Sequence, residues 1–377
     1  MADVTGFRPG LEDVVAAESS ICYIDGDRGI LSYRGIDIHE LAENSSFEEV
    51  CFLLWNGRLP RREELERVRR EIGLERALSA DTIQLLSQFA TRLSPMDSLR
   101  TMVSALVVTD PDAHDTAPGV NRRKAIRLTG QLASLVAAQH RLSKSLPIVE
   151  PDPDLGHAED FLRMLNGAMP SAEAKRAFDV ALVLHADHEL NASTFAARVT
   201  AATLSDMHSS VTSAIGTLKG PLHGGANEAV MKMLLEIGSL ERVDDYIQAK
   251  LGRKEKIMGF GHRVYHTEDP RATHLREMSK ALAESSGETR WYDMSRRIEK
   301  LINDEKKLNS NVDFYSASVY SMLGIPMGLF TPIFAVSRVC GWTAHVLEQY
   351  EHNRLIRPRA EYVGPEYPQP YVPIEKR

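Results

Sequence analysis

The sequence predicts an all-α protein, large and multi-helical, with one small β-hairpin near its N-terminus. Three observations carry this. Apolar residues recur at i, i+3, i+4 and i+7 along most of the chain. Only one pair of β-prone runs flanks a Gly/Asp-rich turn. Neither a strand–helix–strand alternation nor an internal repeat of fixed period occurs. The 377 residues are 43% hydrophobic and 26% charged, which is the balance of a folded globular chain rather than a disordered one. A net charge of -7 argues against wholesale nucleic-acid binding or a basic membrane surface. It leaves room for local basic pockets that take anionic small molecules.

The hairpin is expected from Ile21-Cys22-Tyr23-Ile24 and Ile30-Leu31-Ser32-Tyr33, which flank Asp25-Gly26-Asp27-Arg28-Gly29. Ser46-Phe47-Glu48-Glu49 is a capping-box pattern. Phe47, Val50, Cys51 and Leu54 follow at helical spacing until Gly57 and Pro60. A charged helix covers 61–72, with Glu and Arg at i,i+4. Ser94-Pro95 opens the next helix, with Leu99, Met102, Val103 and Leu106 on one face. A long helix covers 121–142, and its Arg122-Arg123-Lys124 cluster is expected to be a solvated face. Ser171 caps a helix that runs to His185, with Ala174, Phe178, Ala181 and Leu182 on its apolar side. Helices follow over 193–204, 207–218, 226–237, 243–251 and 271–284. Thr331-Pro332 is expected to cap an apolar helix through Phe334, Val336, Val339 and Val346. The Pro-rich stretch after Arg357 should be extended and docked.

Cys22, Cys51 and Cys340 are too few and too scattered for a disulfide framework or a structural zinc site, so a reducing, cytoplasmic location is expected. The first residues, MADVTGFRPG, do not read as a signal peptide. The absence of an apolar run of about 18 residues excludes a conventional membrane span. The N-x-S triplets at Asn44 and Asn191 read as chance.

The common catalytic motifs are missing: no phosphate-binding G-x-x-x-x-G-K-[ST] loop, no H-E-x-x-H and no G-x-S-x-G. Gly259-Phe260-Gly261-His262-Arg263-Val264 begins like a dinucleotide fingerprint but lacks the third Gly and a surrounding strand–helix unit. The chemistry-bearing residues are instead histidines in Gly-rich contexts. His223 sits in Gly220-Pro221-Leu222-His223-Gly224-Gly225-Ala226-Asn227, just before a helix, where free N–H groups suit a developing anion. His262 lies in a second Gly-rich loop. His185 and His188 stand at a helix end, and their spacing gives no metal site because Asp187 and Glu189 point elsewhere. Asp313, among the apolar and aromatic residues of Asn311-Val312-Asp313-Phe314-Tyr315-Ser316, should be partly desolvated and able to act as a base. Taken singly, each has a bland reading, a turn histidine or a helix cap. The combination does not.

In that order, Leu184-His185-Ala186-Asp187-His188-Glu189, Gly220 to Glu228, Gly259 to Tyr265 with Asp269-Pro270-Arg271, and Asn311 to Ser316 resemble the citrate synthases. Tyr33-Arg34-Gly35-Ile36-Asp37-Ile38 near the start and Arg357-Pro358-Arg359-Ala360-Glu361-Tyr362-Val363-Gly364 near the end are similar too, so the resemblance spans essentially the whole chain. It implies condensation of acetyl-CoA with oxaloacetate, then thioester hydrolysis to citrate and CoA. Asp313 would be the base, His223 the donor to the thioester oxygen, and His262 the group that polarises and then protonates the ketone. The chemistry fits these residue types. Taking a thioester α-proton of pKa ~20 with a carboxylate of pKa ~4 is roughly 20 kcal/mol uphill, so the enolate oxygen needs a donor in a water-excluded site.

The resemblance further implies oxaloacetate contacts at His188, Arg271, Arg338 and Arg357, the last reaching the neighbouring subunit's site in a homodimer. CoA contacts would come from Lys256, Ile257, Gly259, Gly261 and Arg263, with Lys306 or Lys307 as further phosphate partners. CoA thioester is a substrate, and neither a metal nor another cofactor is implied. The family fold has a large domain, here 1–224 and 329–377, and a small domain, 225–328, that closes over the substrates. The chain lacks the N-terminal β domain of the larger NADH-regulated members, which implies a simple dimer without that regulation. Two departures stand out: Ala317 where the family usually has Gly, and a short segment between Ser285 and Asn311. The 2-methylcitrate synthases, which use propionyl-CoA, share all of these motifs. A non-catalytic helical scaffold is the alternative of another class, and it would have lost a catalytic group, whereas His223, His262 and Asp313 are all present.

Overall fold

The computed structural model describes residues 7–12 and 14–377, which form sixteen α-helices and one three-stranded sheet. The hairpin pairs β1 (Cys22–Asp25) with β2 (Ile30–Tyr33), with Cys22 opposite Tyr33 and Asp25 opposite Ile30. A two-residue β3 (Ile36–Asp37) extends it, and Asp37 then caps α1 (Ile38–Asn44). Ser46 caps α2 (Phe47–Asn56), accepting from the Glu49 N–H at 3.3 Å, and Gly57 ends it at φ 73°. The helices α3 (Arg62–Leu74), α4 (Ala80–Phe89), α5 (Pro95–Ala105), α6 (Pro118–Ser143) and α7 (His157–Asn166) follow. Then come α8 (Ala172–His185), α9 (Ala192–Ala202), α10 (Met207–Leu218), α11 (Ala226–Ile237) and α12 (Val243–Gly252). The chain continues with α13 (Pro270–Ser286), α14 (Arg290–Lys306), α15 (Val312–Met322) and α16 (Phe330–Glu351).

The core is organised around α16. It packs against α2, α6, α8, α9 and α10, and nearly every residue from Phe330 to Val346 is buried. A helix that is apolar on nearly all sides belongs in the centre of a large domain, and its apolar run reads that way. The helices α11 to α15 form a second cluster. Within it α13 packs on α15 and α14, α11 on α15, and α12 on α14, while α13 also leans on α8. None of the described helices is long and apolar enough to cross a membrane.

Three local expectations are corrected. Thr331 does not cap α16, which begins a residue earlier without a side-chain cap. Its Oγ1 instead lies 2.9 Å from both Gly224 O and Glu228 Oε1, tying the His223 loop to α16. The Arg122-Arg123-Lys124 cluster is not a solvated face. Lys124 is fully buried, its ammonium satisfied by Ala113 O at 3.1 Å and Asp115 O at 2.5 Å, and only Arg123 is exposed. The segment from Arg357 onwards is extended up to a short 3-10 turn at Ile374–Lys376 and lies exposed rather than docked on its own chain. The segment between Ser285 and Asn311 is taken up by the seventeen-residue α14.

Candidate active site

The deepest part of the site is made where the end of α8 meets the middle of α16. The Tyr33 hydroxyl reaches back from β2 to within 3.0–3.3 Å of the carbonyls of Val183, Leu184 and Asp187 and fixes the chain as it leaves α8. Asp187, wholly buried, accepts from the Glu189 N–H at 3.1 Å and faces His345 Nε2 at 3.2 Å. This bend sends His188 into the cleft, where its Nε2 lies 3.2 Å from the Tyr265 hydroxyl. Arg338 projects from α16, 1% exposed. It donates through Nε to His185 O at 2.6 Å, with its guanidinium 4.6 Å from the Phe334 ring centre. Among the described residues no carboxylate comes within 4.0 Å of it, and burial lowers its pKa.

Arg271 comes in from the first turn of α13. Its Nε and Nη2 fork onto Asp269 at 2.9 and 2.8 Å, and Asp269 also accepts from the Val312 N–H at 3.1 Å. Burial opposes both charges, but each outweighs that cost for the other: Arg271 is held above its ordinary pKa and Asp269 below. Asp269 thereby joins the start of α13 to the start of α15.

Asp313 occupies the first turn of α15 and does not cap it. Asn311 is the cap, accepting from the Asp313 N–H at 3.1 Å. Desolvation pushes the Asp313 carboxyl up to about 6, against the pull of Arg271 and Arg338. The His262 loop is stitched to the same segment. Gly261 N–H donates to Asn309 O, Asn311 N–H to Gly259 O, and Asn311 Nδ2 to Gly261 O, at 2.9–3.1 Å. Gly259 is at φ +84°, and a Cβ there would meet Phe314 at 2.8 Å, so glycine lets the loop lie flat on α15.

The tautomers of two histidines follow from their donors. His262 Nδ1 accepts from the N–H groups of Val264 at 2.9 Å and Tyr265 at 3.2 Å, so the proton sits on Nε2. His223 Nε2 accepts from the Ser193 N–H at 3.3 Å, with Ser193 Oγ at 2.8 Å, which leaves the proton on Nδ1. Desolvation lowers both to about 4, helped by Arg338 at His223 and by Arg271 at His262. His188 is also held well below its ordinary value, first by burial and then by Arg271 and Arg338. At neutral pH the site thus holds neutral imidazoles, two cationic guanidiniums and an ionised carboxylate of raised pKa.

His188, His223, His262, Arg271, Asp313 and Arg338 are therefore gathered at one place, within reach of the fields of the two arginines. Arg357 is not; it is exposed in the extended segment beyond the end of α16. Of the expected CoA contacts, Ile257 and Gly259 are buried, Lys256 is exposed, and exposed Arg263 lies 3.4 Å from Glu12. Lys306 and Lys307 are exposed as well. The sequence reading missed Ser193, Asp269 and Asn311 as supports. Ser193 lay in the Asn191 triplet read as chance. Its Oγ also receives the Trp342 indole N–H at 3.1 Å, one turn along α16 from Arg338. Among the described residues no cluster of three or more His, Cys, Asp or Glu has metal-binding geometry.

Residues 10–359 match the family model described as citrate synthase, C-terminal domain. The chain is 57% identical to citrate synthase 2 of Bacillus subtilis, covering 98% of each chain. It is 51% identical to the citrate synthase of Haloferax volcanii, covering 98% of this chain and 99% of that one. Among solved structures, the citrate synthase of Pyrobaculum aerophilum superposes with a TM-score of 0.91 at 42% identity, over 98% of this chain and 95% of that one. The ternary complex of Thermoplasma acidophilum citrate synthase with carboxymethyl coenzyme A and oxaloacetate gives 0.91 at 33% identity, over 99% and 100%. Fold, full-length coverage and the gathered histidines, arginines and aspartate agree: the chain belongs to the citrate synthase family.

Proposed function

We propose that this chain condenses acetyl-CoA with oxaloacetate and hydrolyses the resulting thioester to citrate and CoA. The observation that carries this reading is Arg338, a fully buried guanidinium that has no carboxylate of its own among the described residues and stands near a second buried arginine, Arg271. A small dicarboxylate supplies the anion that Arg338 lacks and can reach Arg271 beside its Asp269 partner, and planar guanidinium groups suit its geometry. His188 completes the oxaloacetate contacts.

Asp313 takes the methyl proton of acetyl-CoA. Its raised pKa of about 6 closes some two units of the gap to the thioester, about 3 kcal/mol of a barrier of roughly 20. The rest must come from stabilising the enolate oxygen, and His223 offers its Nδ1–H for that. A neutral donor suits the task, because the proton is shared rather than lost. The enolate carbon then attacks the ketone of oxaloacetate. His262 directs its Nε2–H at the ketone oxygen and passes that proton to the alkoxide as it forms, and the proton released by the hydrolytic water returns to the imidazole. Water cleaves the citryl thioester. No electrons change hands overall, so the reaction calls for no redox cofactor, and the CoA thioester enters as substrate.

The CoA adenine is assigned to the backbone around Lys256, Ile257, Gly259 and Gly261, with Arg263 for phosphate. Residues 225–328 act as a small domain closing on 1–224 and 329–377, which would exclude water from the enolate. Arg357 serves the site of a second copy in a homodimer. This is supported by the last segment, where Tyr362, Val363, Tyr367 and Tyr371 are 73%, 90%, 89% and 81% exposed, a row of large apolar groups that a partner would cover. Three unpaired cysteines, two of them buried, support a reducing, cytoplasmic setting.

The test is release of free CoA thiol by the purified protein with oxaloacetate, comparing acetyl-CoA with propionyl-CoA. A higher kcat/KM for acetyl-CoA is expected, in line with citrate synthases at 48–57% identity against 2-methylcitrate synthases at 41–42%. A propionyl-CoA preference would reassign the substrate, and no thiol release with either would overturn the reading.

A further inference from the structure

The Gly/Asp-rich turn of the hairpin, residues 25–29, has no part in the chemistry above, yet it lies against the segment that follows His262. The His266 N–H donates to Gly26 O at 3.0 Å. At the rim, His266 Nδ1 meets Asp27 Oδ1 at 2.6 Å, with both side chains mostly exposed. The approach is close enough to require glycine. A Cβ on Gly26 would fall 1.9 Å from Val264 O and 3.5 Å from Tyr265 Cα. A Cβ on Gly29 would fall 2.8 Å from Thr267 Oγ1 and 3.2 Å from Glu268 O. The peptide that Gly26 touches, Val264 C=O to Tyr265 N–H, carries one of the two N–H donors to His262 Nδ1, and the other, the Val264 N–H, lies on the adjoining peptide.

We infer that the hairpin turn is a positioning element for the reaction: Gly26, docked on the 264–265 backbone, fixes the two N–H groups that keep His262 in its Nε2–H tautomer and aimed at the ketone. The inference rests on the proposed role of His262. Hairpin and loop lie far apart in the chain, so the contact couples the N-terminal sheet to the catalytic loop. Moving the 264–265 peptides by the ~1–2 Å that a methyl group needs would release Nδ1, and misplacement on that scale is enough to cost turnover heavily.

The test compares Gly26→Ala, Asp27→Asn, His266→Ala and His262→Ala in the thiol-release assay, with thermal melts and pH profiles. Gly26→Ala is expected to lower kcat about 10- to 100-fold with less change in the KM for acetyl-CoA. The second step of its acid limb, set by His262 at about 4, should move to higher pH and steepen the fall already begun by Asp313, because Nδ1, freed of two donors, protonates more easily. A purely structural contact would lower the melting temperature without moving that second step. Asp27→Asn and His266→Ala, at the exposed rim, should fold normally and lose about two- to fivefold in kcat, which keeps the test decisive if Gly26→Ala does not fold. Wild-type kcat and pH profile in folded Gly26→Ala, or in both rim variants where Gly26→Ala is unfolded, would overturn the inference. If His262→Ala is inactive while the hairpin variants match wild type, only the hairpin inference fails. If His262→Ala turns over normally, the assignment of His262 itself fails.

Discussion

His188 and Arg338 belong to one kind of structure, and His262 to another. The first two are set by α8 and α16, packed on each other in the core, with Tyr33 and Asp187 pinning the bend between them. His262 sits on irregular backbone whose fixed points are hydrogen bonds to residues 309–311 on one side and the hairpin turn on the other. The difference matches what each half has to do. Holding two carboxylates calls for charges whose desolvation cost is met once, on folding, by a rigid shell. Moving protons calls for groups brought into register with a second substrate, and a segment fixed at a few points can shift as a unit. Asp313 stands between the two, on a helix but in the same stitched segment as His262.

The comparison makes separable predictions. Asp313→Asn should give the largest effect, a loss of about 10³-fold or more in kcat with a small change in oxaloacetate affinity. The same variant should melt a few degrees higher, because a carboxylate kept near pKa 6 is an ionised group held at a cost in the folded state. A variant that loses turnover and stability together would show Asp313 to be a packing residue. Arg338→Lys probes the rigid half. It keeps the charge but loses the planar fork, so the KM for oxaloacetate should rise about 10- to 100-fold while kcat changes less. Oxaloacetate should also raise the melting temperature of the parent protein, and that shift should shrink in Arg338→Lys. An unchanged KM would remove Arg338 from the binding site and with it the rigid half of the comparison.

Much of this was legible in the chain because its signals are local. The hairpin, the bounds of α10 and α11, and the apolar α16 follow from turn residues and period. Five helices, α1, α4, α7, α14 and α15, were not read from the sequence, and for different reasons; α7 carries a clear apolar face of Phe161, Leu162 and Leu165 that was overlooked. The seven-residue α1 is too short to show a period, and α15 is buried on nearly every side, so it has no polar face. By contrast α14 did carry a stripe, Trp291, Met294, Ile298 and Ile302, hidden in a charge-rich context. At the site, residues in contiguous motifs could be found, and their supports could not. Ser193 serves His223 from thirty residues away, and Gly26 meets Val264 across most of the chain. Lys124 misled for a related reason: a basic triplet reads as surface, and only the fold brings the carbonyls of Ala113 and Asp115 to its ammonium.

The smallest effect is the pH dependence, and its sign tests whether both halves hold their groups as described. Asp313 acts as a base only when ionised, so log(kcat/KM) should fall with unit slope as pH drops below about 6. His223 and His262, at about 4, stay neutral through that range, so the slope should steepen only near pH 4. The stability contributions run in opposite directions. The pKa of Asp313 is raised on folding, so its penalty is present above pH 6 and is relieved as pH falls from about 6 to 4. The pKa values of His188, His223 and His262 are lowered, so the stability they carry is full above about 6.5 and is lost as pH falls through their folded values. Three histidines against one aspartate should make these site groups destabilising overall in that window. In Asp313→Asn the compensating term is gone, so its advantage in melting temperature over the parent should narrow between pH 6 and 4. An advantage that stays constant across that window would mean that the carboxylate does not titrate there and that its pKa is not raised.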